Sequence, residues 1–226
     1  MCHKGLTSLL KINQQHLGLD ELVDTFIPNA PIDADVHASI LSLPYLLGLK
    51  GDNVFASPEG YIVPDMNMAE VYRKKYFDND KIKVGIKWRG NTTFDKDRVI
   101  PTELFNQLID LNNAQYYSFQ TFEGSEETVK LHNIIDIGKD LTEFDQTAAA
   151  LRNLDLVICN DTSLAHLAGA MHIPCWIMLP YNVDWRWGKG EGTCDWYESV
   201  KLFRQKSIDD WQSVFDQIIL EMKPED

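Results

Sequence analysis

Residues 154–170 read LDLVICNDTSLAHLAGA, and this stretch decides the fold that the rest of the chain must fit. Its first six residues are apolar apart from one aspartate, a pattern typical of a buried strand. The short polar side chains of residues 160–163 (NDTS) predict a tight turn and the start of a helix that runs to Met171. A buried strand that leads directly into a helix is the repeating unit of a parallel α/β sheet.

The same alternation extends on both sides of this stretch. The predicted strands cover residues 81–88, 115–120, 133–137, 154–159, 174–179 and 201–203. The predicted helices cover residues 101–111, 124–131, 143–153, 161–171 and 207–222, the last with Ser207 as its N-cap. This order predicts an α/β, Rossmann-like domain over residues 79–226, with a parallel sheet covered by helices on both faces.

Residues 1–78 are less regular and predict an incomplete domain. A helix is expected over residues 6–12, a strand over 22–27 and a polar helix over 68–77, while the apolar segment 37–47 contains Pro44. These elements are too few for a second complete α/β domain. We therefore expect residues 1–78 to form part of an N-terminal α/β domain and a linker, with the front of that domain missing.

Composition and charge exclude several classes of protein. The 226 residues carry a net charge of -13, which argues against nucleic acid as a partner because phosphate backbones attract basic surfaces. No apolar run reaches the roughly 18 to 20 residues that span a bilayer, and a signal peptide is not evident. The four cysteines have no CxxC spacing and the six histidines no HExxH spacing. We expect a cytoplasmic protein with reduced thiols, no bound metal and no cofactor.

The predicted helix at residues 161–171 begins with a candidate anion site. Ligands of parallel sheets lie at the carboxyl ends of the strands, here the loops 89–100, 120–124, 137–142, 159–163 and 180–192. The first amides of the helix and its dipole suit a pyrophosphate, and Thr162 and Ser163 are small enough for a ligand to approach. His166 lies one turn further on. An equally weighted interpretation makes Asp161 or Thr162 a simple cap and His166 a core residue.

Two further loops carry polar or aromatic side chains. In residues 88–93 (WRGNTT), Asn91 and Thr92 offer hydrogen-bond donors, and Arg98 could neutralise a phosphate; the alternative is a surface loop. In residues 180–187 (PYNVDWRW), the aromatic rings could stack on a base or sugar, or simply hold the loop against the core. The chain contains no GxGxxG, GxxxxGK[ST] or GxSxG motif, which weakens a dehydrogenase, P-loop or hydrolase interpretation.

Several segments, taken in order, resemble one family. They are KVGIKWRGN (83–91), LDLVICNDTSLAHLAGA (154–170), IPCWIMLP (173–180), DWRWG (184–188) and WYESVKLFRQ (196–205). In this order they resemble the C-terminal region of bacterial tetratricopeptide-linked glycosyltransferases. That group is related to the heptosyltransferases of glycosyltransferase family 9 and, more distantly, to O-linked N-acetylglucosamine transferases. The resemblance covers about residues 36 to 215.

The resemblance implies a GT-B architecture, in which two Rossmann-like domains face each other across a cleft. The C-terminal domain would hold a nucleotide-diphosphate sugar, linked to UDP or ADP, without a metal. Carried over to this chain, Asp161, Thr162 and Ser163 would hold the pyrophosphate or the sugar, and His166 would shape that site. Asn91 and Thr92 would line the diphosphate, Arg98 would offset its charge, and Gln120 would lie near the base or ribose.

The chain departs from the family pattern in two places. Gln146 stands where relatives usually have an acidic residue, which weakens the assignment of a ribose contact at this position. The glycine-rich strand-turn-helix near the start of the relatives' N-terminal domain is absent, so the catalytic base and the acceptor stay unassigned.

We expect a glycosyltransferase-like protein that transfers a sugar to a hydroxyl acceptor and is inactive alone if its N-terminal domain is truncated. The alternatives are a non-catalytic or partner-dependent nucleotide-binding module and a nucleotide-sugar epimerase of GT-B type.

Overall fold

The computed structural model describes residues 4–18, 35–50, 59–91, 96–111, 113–188, 190 and 192–223. In these ranges the strands are β1 (Ile82–Lys87), β2 (Ala114–Ser118), β3 (Ile134–Asp136), β4 (Leu156–Asn160), β5 (Cys175–Leu179) and β6 (Val200–Arg204). The α-helices of the same ranges are α1 (Thr7–Asn13), α2 (Leu43–Leu46), α3 (Met66–Tyr76), α4 (Asn106–Ile109), α5 (Phe144–Leu151), α6 (Ser163–Ala170) and α7 (Trp211–Glu221).

The strands form one parallel sheet in the order β3-β2-β1-β4-β5-β6. The chain moves outward from β1 to β3 on one side and from β4 to β6 on the other, so the order reverses between β1 and β4. Those two strands pair in register, with Val84 opposite Leu156 and Lys87 opposite Cys159. This is the doubly wound arrangement that the alternating strands and helices predict, and a crevice opens beyond the strand ends at such a switch point.

Each face of the sheet is covered by its own apolar cluster. Val84 and Ile86 of β1 point to the face on which α4 and α7 pack, through residues such as Leu108 and Phe215. Tyr117 and Val157 belong to the opposite face, with α5 and α6. Successive side chains of a strand point to opposite faces, so a strand buried on both sides must be apolar almost throughout. The predicted covering of both faces is confirmed.

Residues before β1 also contribute to the apolar cluster on the face that carries α5 and α6. Leu9 of α1 and Ala69 and Tyr72 of α3 are buried in it. The Asn13 side chain donates to the Val63 carbonyl and accepts from the Val63 amide, at 2.9 and 2.7 Å. The described part of the first 78 residues therefore packs partly on the sheet domain, and the boundary at residue 78 stays a prediction. The predicted strand at 22–27 lies outside the described residues.

Two helix starts differ from the simplest sequence interpretation. The last helix begins at Trp211, and Asp210 caps it by accepting from the Ser213 amide at 3.1 Å. Ser207, the predicted N-cap, lies ahead of that helix, so its assignment as the cap was wrong. At α5 the side chains of Glu143 and Gln146 form a capping box, which gives Gln146 a structural role. No helix of the described ranges is both long and apolar enough to cross a membrane.

Candidate functional site

A cavity of about 850 Å³ lies at the switch point, beyond the carboxyl ends of β1, β2 and β4. Its walls come from the loops that follow these strands and from the first turns of α5 and α6. The lining residues are Lys87, Arg89, Gly90, Asn91, Arg98, Thr121, Phe122, Glu123, Phe144, Asn160, Asp161, Thr162 and Ser163. The cavity therefore occupies the place where open α/β sheets bind their ligands.

Arg98 forms the centre of an ion-pair network on the cavity wall. Its guanidinium lies 2.9 Å from the Asp161 carboxylate and 3.6 Å from that of Asp184. Asp184 also accepts from the Arg186 guanidinium at 2.8 Å. Burial raises the pKa of Asp184, but the hydrogen bonds from the Arg186 amide and guanidinium outweigh it, so its pKa lies below the ordinary value. Asp161 is only 6% exposed, so its carboxylate depends on this pairing.

Two buried amide side chains hold the loops that build the cavity. Asn160, at the end of β4, donates to the Arg98 carbonyl at 3.0 Å and so fixes the segment that carries the guanidinium. Gln120 accepts from the Arg89 amide at 3.0 Å and donates to the Arg89 and Glu123 carbonyls at 3.1 and 2.7 Å. It thereby joins the loop after β1 to the loop after β2. Removing such a partner leaves buried backbone groups unsatisfied.

The start of α6 is open to the cavity. Thr162 is its N-cap by position, yet its side chain makes no capping bond, and the buried hydroxyl has no partner among the described residues. The first amides of a helix lack intrahelical acceptors, and the dipole adds a partial positive charge there. Gly90 approaches this turn so closely that a Cβ atom would lie 3.1 Å from the Thr162 methyl group. The turn therefore presents donors and small side chains, which suits an anion.

A second cavity of about 460 Å³ adjoins the first. The two share Lys87, Thr121, Phe122, Phe144 and Ser163. Phe119, Leu141 and Leu164 add apolar surface to its wall, and Lys4 and Gly5, ahead of α1, line it from the N-terminal side. The Phe122 backbone has a φ of 52°, a conformation that costs energy for a bulky residue and is often found at functional sites.

Lys87 is a functional candidate that the sequence interpretation missed. It is the last residue of β1, it is only 8% exposed, and it lines both cavities. The ammonium donates to the Phe119 carbonyl at 3.3 Å and to the Thr121 hydroxyl at 3.4 Å, both long for a charged donor. Burial lowers its pKa to about 8, against a smaller opposing effect of Cys159. The signal in the sequence was a lysine between two large apolar residues, Ile86 and Trp88, at the carboxyl end of the predicted strand.

The structure brings most of the predicted site residues together. The cavity is lined by Asn91, Arg98, Asp161, Thr162 and Ser163. Gln120 lies behind the wall, 1% exposed, and acts on the loops instead of facing the cavity. His166 does not line either cavity: its ring stacks on Trp187 at 5.0 Å, and its Nδ1 lies 3.2 Å from the Tyr197 hydroxyl. Burial lowers the pKa of His166. Thr92 lies outside the described residues.

The cysteines and the other possible metal ligands do not form a coordination site in the described ranges. No group of three or more His, Cys, Asp or Glu side chains there could hold a metal ion. Cys159, Cys175 and Cys194 carry free thiols. The charged side chains that line the larger cavity are Lys87, Arg89, Arg98, Glu123 and Asp161.

Comparison with known proteins gives a family match for the part of the chain that contains Arg98 and Asp161. Residues 93–176 match the model of glycosyltransferase family 9 (heptosyltransferase), and these residues run from the loop of Arg98 to the start of β5. None of the curated proteins matches the chain. The matched region supports the resemblance to heptosyltransferases, and the link to tetratricopeptide proteins stays a prediction.

Solved structures share the fold. The chain is 16% identical to E. coli ADP-heptose lps heptosyltransferase II, with a TM-score of 0.50 and coverage of 73% of this chain and 53% of that one. A family 9 glycosyl transferase from Veillonella parvula is 14% identical, with a TM-score of 0.51 and coverages of 75% and 48%. E. coli heptosyltransferase WaaC with ADP is 14% identical, with a TM-score of 0.52 and coverages of 87% and 59%.

These similarities confirm the predicted fold class, a Rossmann-like parallel α/β sheet of GT-B type. The chain spans about half the length of the solved structures it matches. At such identities the similarity describes the fold, and the chemistry has to be argued from the residues of the cavity.

Proposed function

We propose that the switch-point cavity binds a nucleoside-diphosphate sugar, with the diphosphate at the start of α6. The chain then serves as the donor-binding part of a glycosyltransferase that passes the sugar to a hydroxyl acceptor. One observation carries the proposal: a helix N-terminus with an unpartnered buried hydroxyl, an arginine and small side chains converge on one cavity at the carboxyl edge of the sheet.

The geometry suits a leaving group that gains negative charge. As a hydroxyl acceptor attacks the anomeric carbon, the bond to the diphosphate breaks and charge builds on the departing phosphate oxygens. The amides and dipole of α6 and the Arg98 guanidinium lie in fixed positions before the reaction, so they stabilise that charge without reorganisation. These groups would supply the stabilisation that a metal ion supplies elsewhere.

Asp161 has two tasks in this proposal. Its carboxylate orients the Arg98 guanidinium at 2.9 Å, and its remaining lone pairs accept hydrogen bonds from sugar hydroxyls. The adjoining cavity, between Phe122 and Phe144, would take the nucleoside, because aromatic and aliphatic walls suit a flat ring.

Isothermal titration with ADP and with UDP tests the proposal. We expect at least one of them to bind with micromolar affinity, and Asp161→Ala to weaken binding of the sugar nucleotide with the same base about tenfold or more, because the variant lacks the carboxylate that accepts from the sugar hydroxyls, while the protein stays folded. Asp195→Ala is the matched control, because Asp195 is exposed and lines neither cavity. Failure of both nucleotides to bind the parent protein, or equal affinities of Asp161→Ala and the parent, would contradict the proposed site.

A turnover assay separates the activities that share this site. Incubation with UDP- and ADP-linked sugars should release the nucleoside diphosphate slowly, with water as the acceptor. Binding without release would support a non-catalytic or partner-dependent module, and conversion of the sugar nucleotide into its epimer would support an epimerase. Either result would refute transfer by this chain alone and leave the binding site in place.

A further inference from the structure

Lys87 occupies an unusual position for a charged side chain. It follows Ile86 at the end of β1 and points to the face of the sheet that carries α5 and α6, where the neighbouring side chains are apolar. Within the described residues, its polar contacts are the Phe119 carbonyl and the Thr121 hydroxyl, and neither carries a charge. A buried ammonium without a carboxylate destabilises a fold, and an apolar residue of similar length would pack there at lower cost.

We infer that Lys87 is a second cation of the proposed donor site and that its ammonium binds a phosphate oxygen of the nucleoside diphosphate where the two cavities meet. The inference rests on the proposed function. Lys87 lines both cavities, as does Ser163 in the first turn of α6. The ammonium and the helix start therefore face the same space, and an anion held by the amides of α6 lies within reach of Lys87.

The charges of the site favour this role. The Arg98 guanidinium is already shared by the Asp161 and Asp184 carboxylates, so most of its charge is offset within the protein. A nucleoside diphosphate carries more than one negative charge, and ammonium groups are common phosphate ligands. Lys87 supplies a cation whose charge is not offset by an acidic partner among the described residues.

Other charged or titratable groups surround the two cavities. They are Cys159 on β4, Glu143 before α5, Lys4 before α1, Arg89, Arg98 and Glu123 in the loops, and Asp161 before α6. Arg89 lines the larger cavity, and its guanidinium pairs with the Glu127 carboxylate at 2.5 Å. A comparison of the parent protein with a Lys87 variant separates the lysine from this background, because all the other groups are the same in both.

The decisive variant is Lys87→Met, with Lys11→Met as its control. Lys11 is an exposed residue of α1 that lines neither cavity. We expect Lys87→Met to lower the affinity for ADP or UDP, whichever the parent binds, about tenfold or more, and to leave the weaker affinity for the matching nucleoside unchanged. We also expect its melting temperature to be no lower than that of the parent, because the variant removes a buried charge.

The other possible results of this experiment overturn either the inference about Lys87 alone or the proposed function as well. Equal affinities of Lys87→Met and the parent for the diphosphate would overturn the inference and leave the proposed function intact. An equal loss for the nucleoside and the diphosphate, or a melting temperature several degrees lower, would assign Lys87 to nucleoside binding or to the fold and overturn it as well. A parent protein that binds neither ADP nor UDP would overturn the proposed function, and this inference with it.

Proton uptake provides an independent measurement. Burial lowers the pKa of the unliganded Lys87 to about 8, and an adjacent phosphate would raise it again. Titration at about pH 8.5 in two buffers of different ionisation enthalpy should therefore show proton uptake by the parent that Lys87→Met lacks. Equal proton uptake by the two proteins would contradict a contact between the ammonium and the phosphate.

Discussion

Replacement of Arg98 by alanine tests how the site balances its charges. A charge-assisted hydrogen bond to a phosphate contributes about 1.5–3 kcal/mol, which corresponds to roughly 10- to 150-fold in affinity. The structure favours the lower part of this range. Two carboxylates, Asp161 and Asp184, already share the guanidinium, so a ligand gains only what those contacts leave. We expect Arg98→Ala to weaken diphosphate binding about tenfold.

The same variant should lower stability by a smaller and separately measurable amount. In the parent the Asp161 residue is 6% exposed, and Arg98→Ala removes the guanidinium that lies 2.9 Å from its carboxylate. Leaving a buried acceptor unsatisfied costs about 1–3 kcal/mol, and the lower end applies because Arg98 itself is 28% exposed and water can replace it. Urea unfolding should report a loss of about 1 kcal/mol, with the protein folded at 25 °C.

Arg186→Ala is the control for this experiment. Arg186 pairs with the same aspartate, Asp184, at 2.8 Å but does not line the cavity. Isothermal titration should give Arg186→Ala an affinity within about twofold of the parent. The reasoning fails if Arg98→Ala binds the diphosphate as tightly as the parent, or if both arginine variants lose affinity equally.

Three further substitutions give distinct results. Thr162→Val should weaken diphosphate binding about fivefold without loss of stability, because the buried hydroxyl has no partner among the described residues; titration and thermal unfolding check both. Gly138→Ala should lower the free energy of unfolding by about 3 kcal/mol, because a Cβ atom would lie 1.9 Å from the Gln120 carbonyl oxygen; urea unfolding measures it. The free energy of unfolding of Lys87→Met should exceed that of the parent by an amount that shrinks between about pH 8 and about pH 10. The reason is that Lys87 loses its proton at lower pH in the folded parent than in the unfolded chain. A difference that is the same at every pH would contradict the lowered pKa of Lys87.

Sequence patterning predicted the sheet because its signals are local. The run LDLVIC in 154–159 is apolar apart from Asp155, and the run KIKVGIKW in 81–88 is apolar from Val84 to Ile86. Both have the length of a strand, and the structure has β4 and β1 there. The carboxyl edge of a parallel sheet then placed the loops 89–100 and 159–163 side by side. That is why Arg98 and Asp161, far apart in sequence, were expected near each other, and their side chains lie 2.9 Å apart in the structure.

Side-chain direction and long-range pairing were beyond the reach of local patterns. The residues 180–187 were interpreted through their aromatic rings, whereas Asp184 is the residue that reaches Arg98. His166 was expected to face the ligand, but it turns toward Trp187 and Tyr197, which follow it in the chain and pack beside α6. Lys87 was read as part of a strand, because period-two alternation does not show whether a strand end opens into a cavity.

Backbone amide spectra of the protein titrated with ADP or UDP report on the cavity at the residues that form it. If the start of α6 holds the diphosphate, the largest shift changes will fall on the amides of residues 161–164 and on the segment around Arg98, and the free nucleoside will leave those amides nearly unchanged. Changes confined to other parts of the sheet, or the same pattern with nucleoside and diphosphate, would show that the phosphates bind elsewhere.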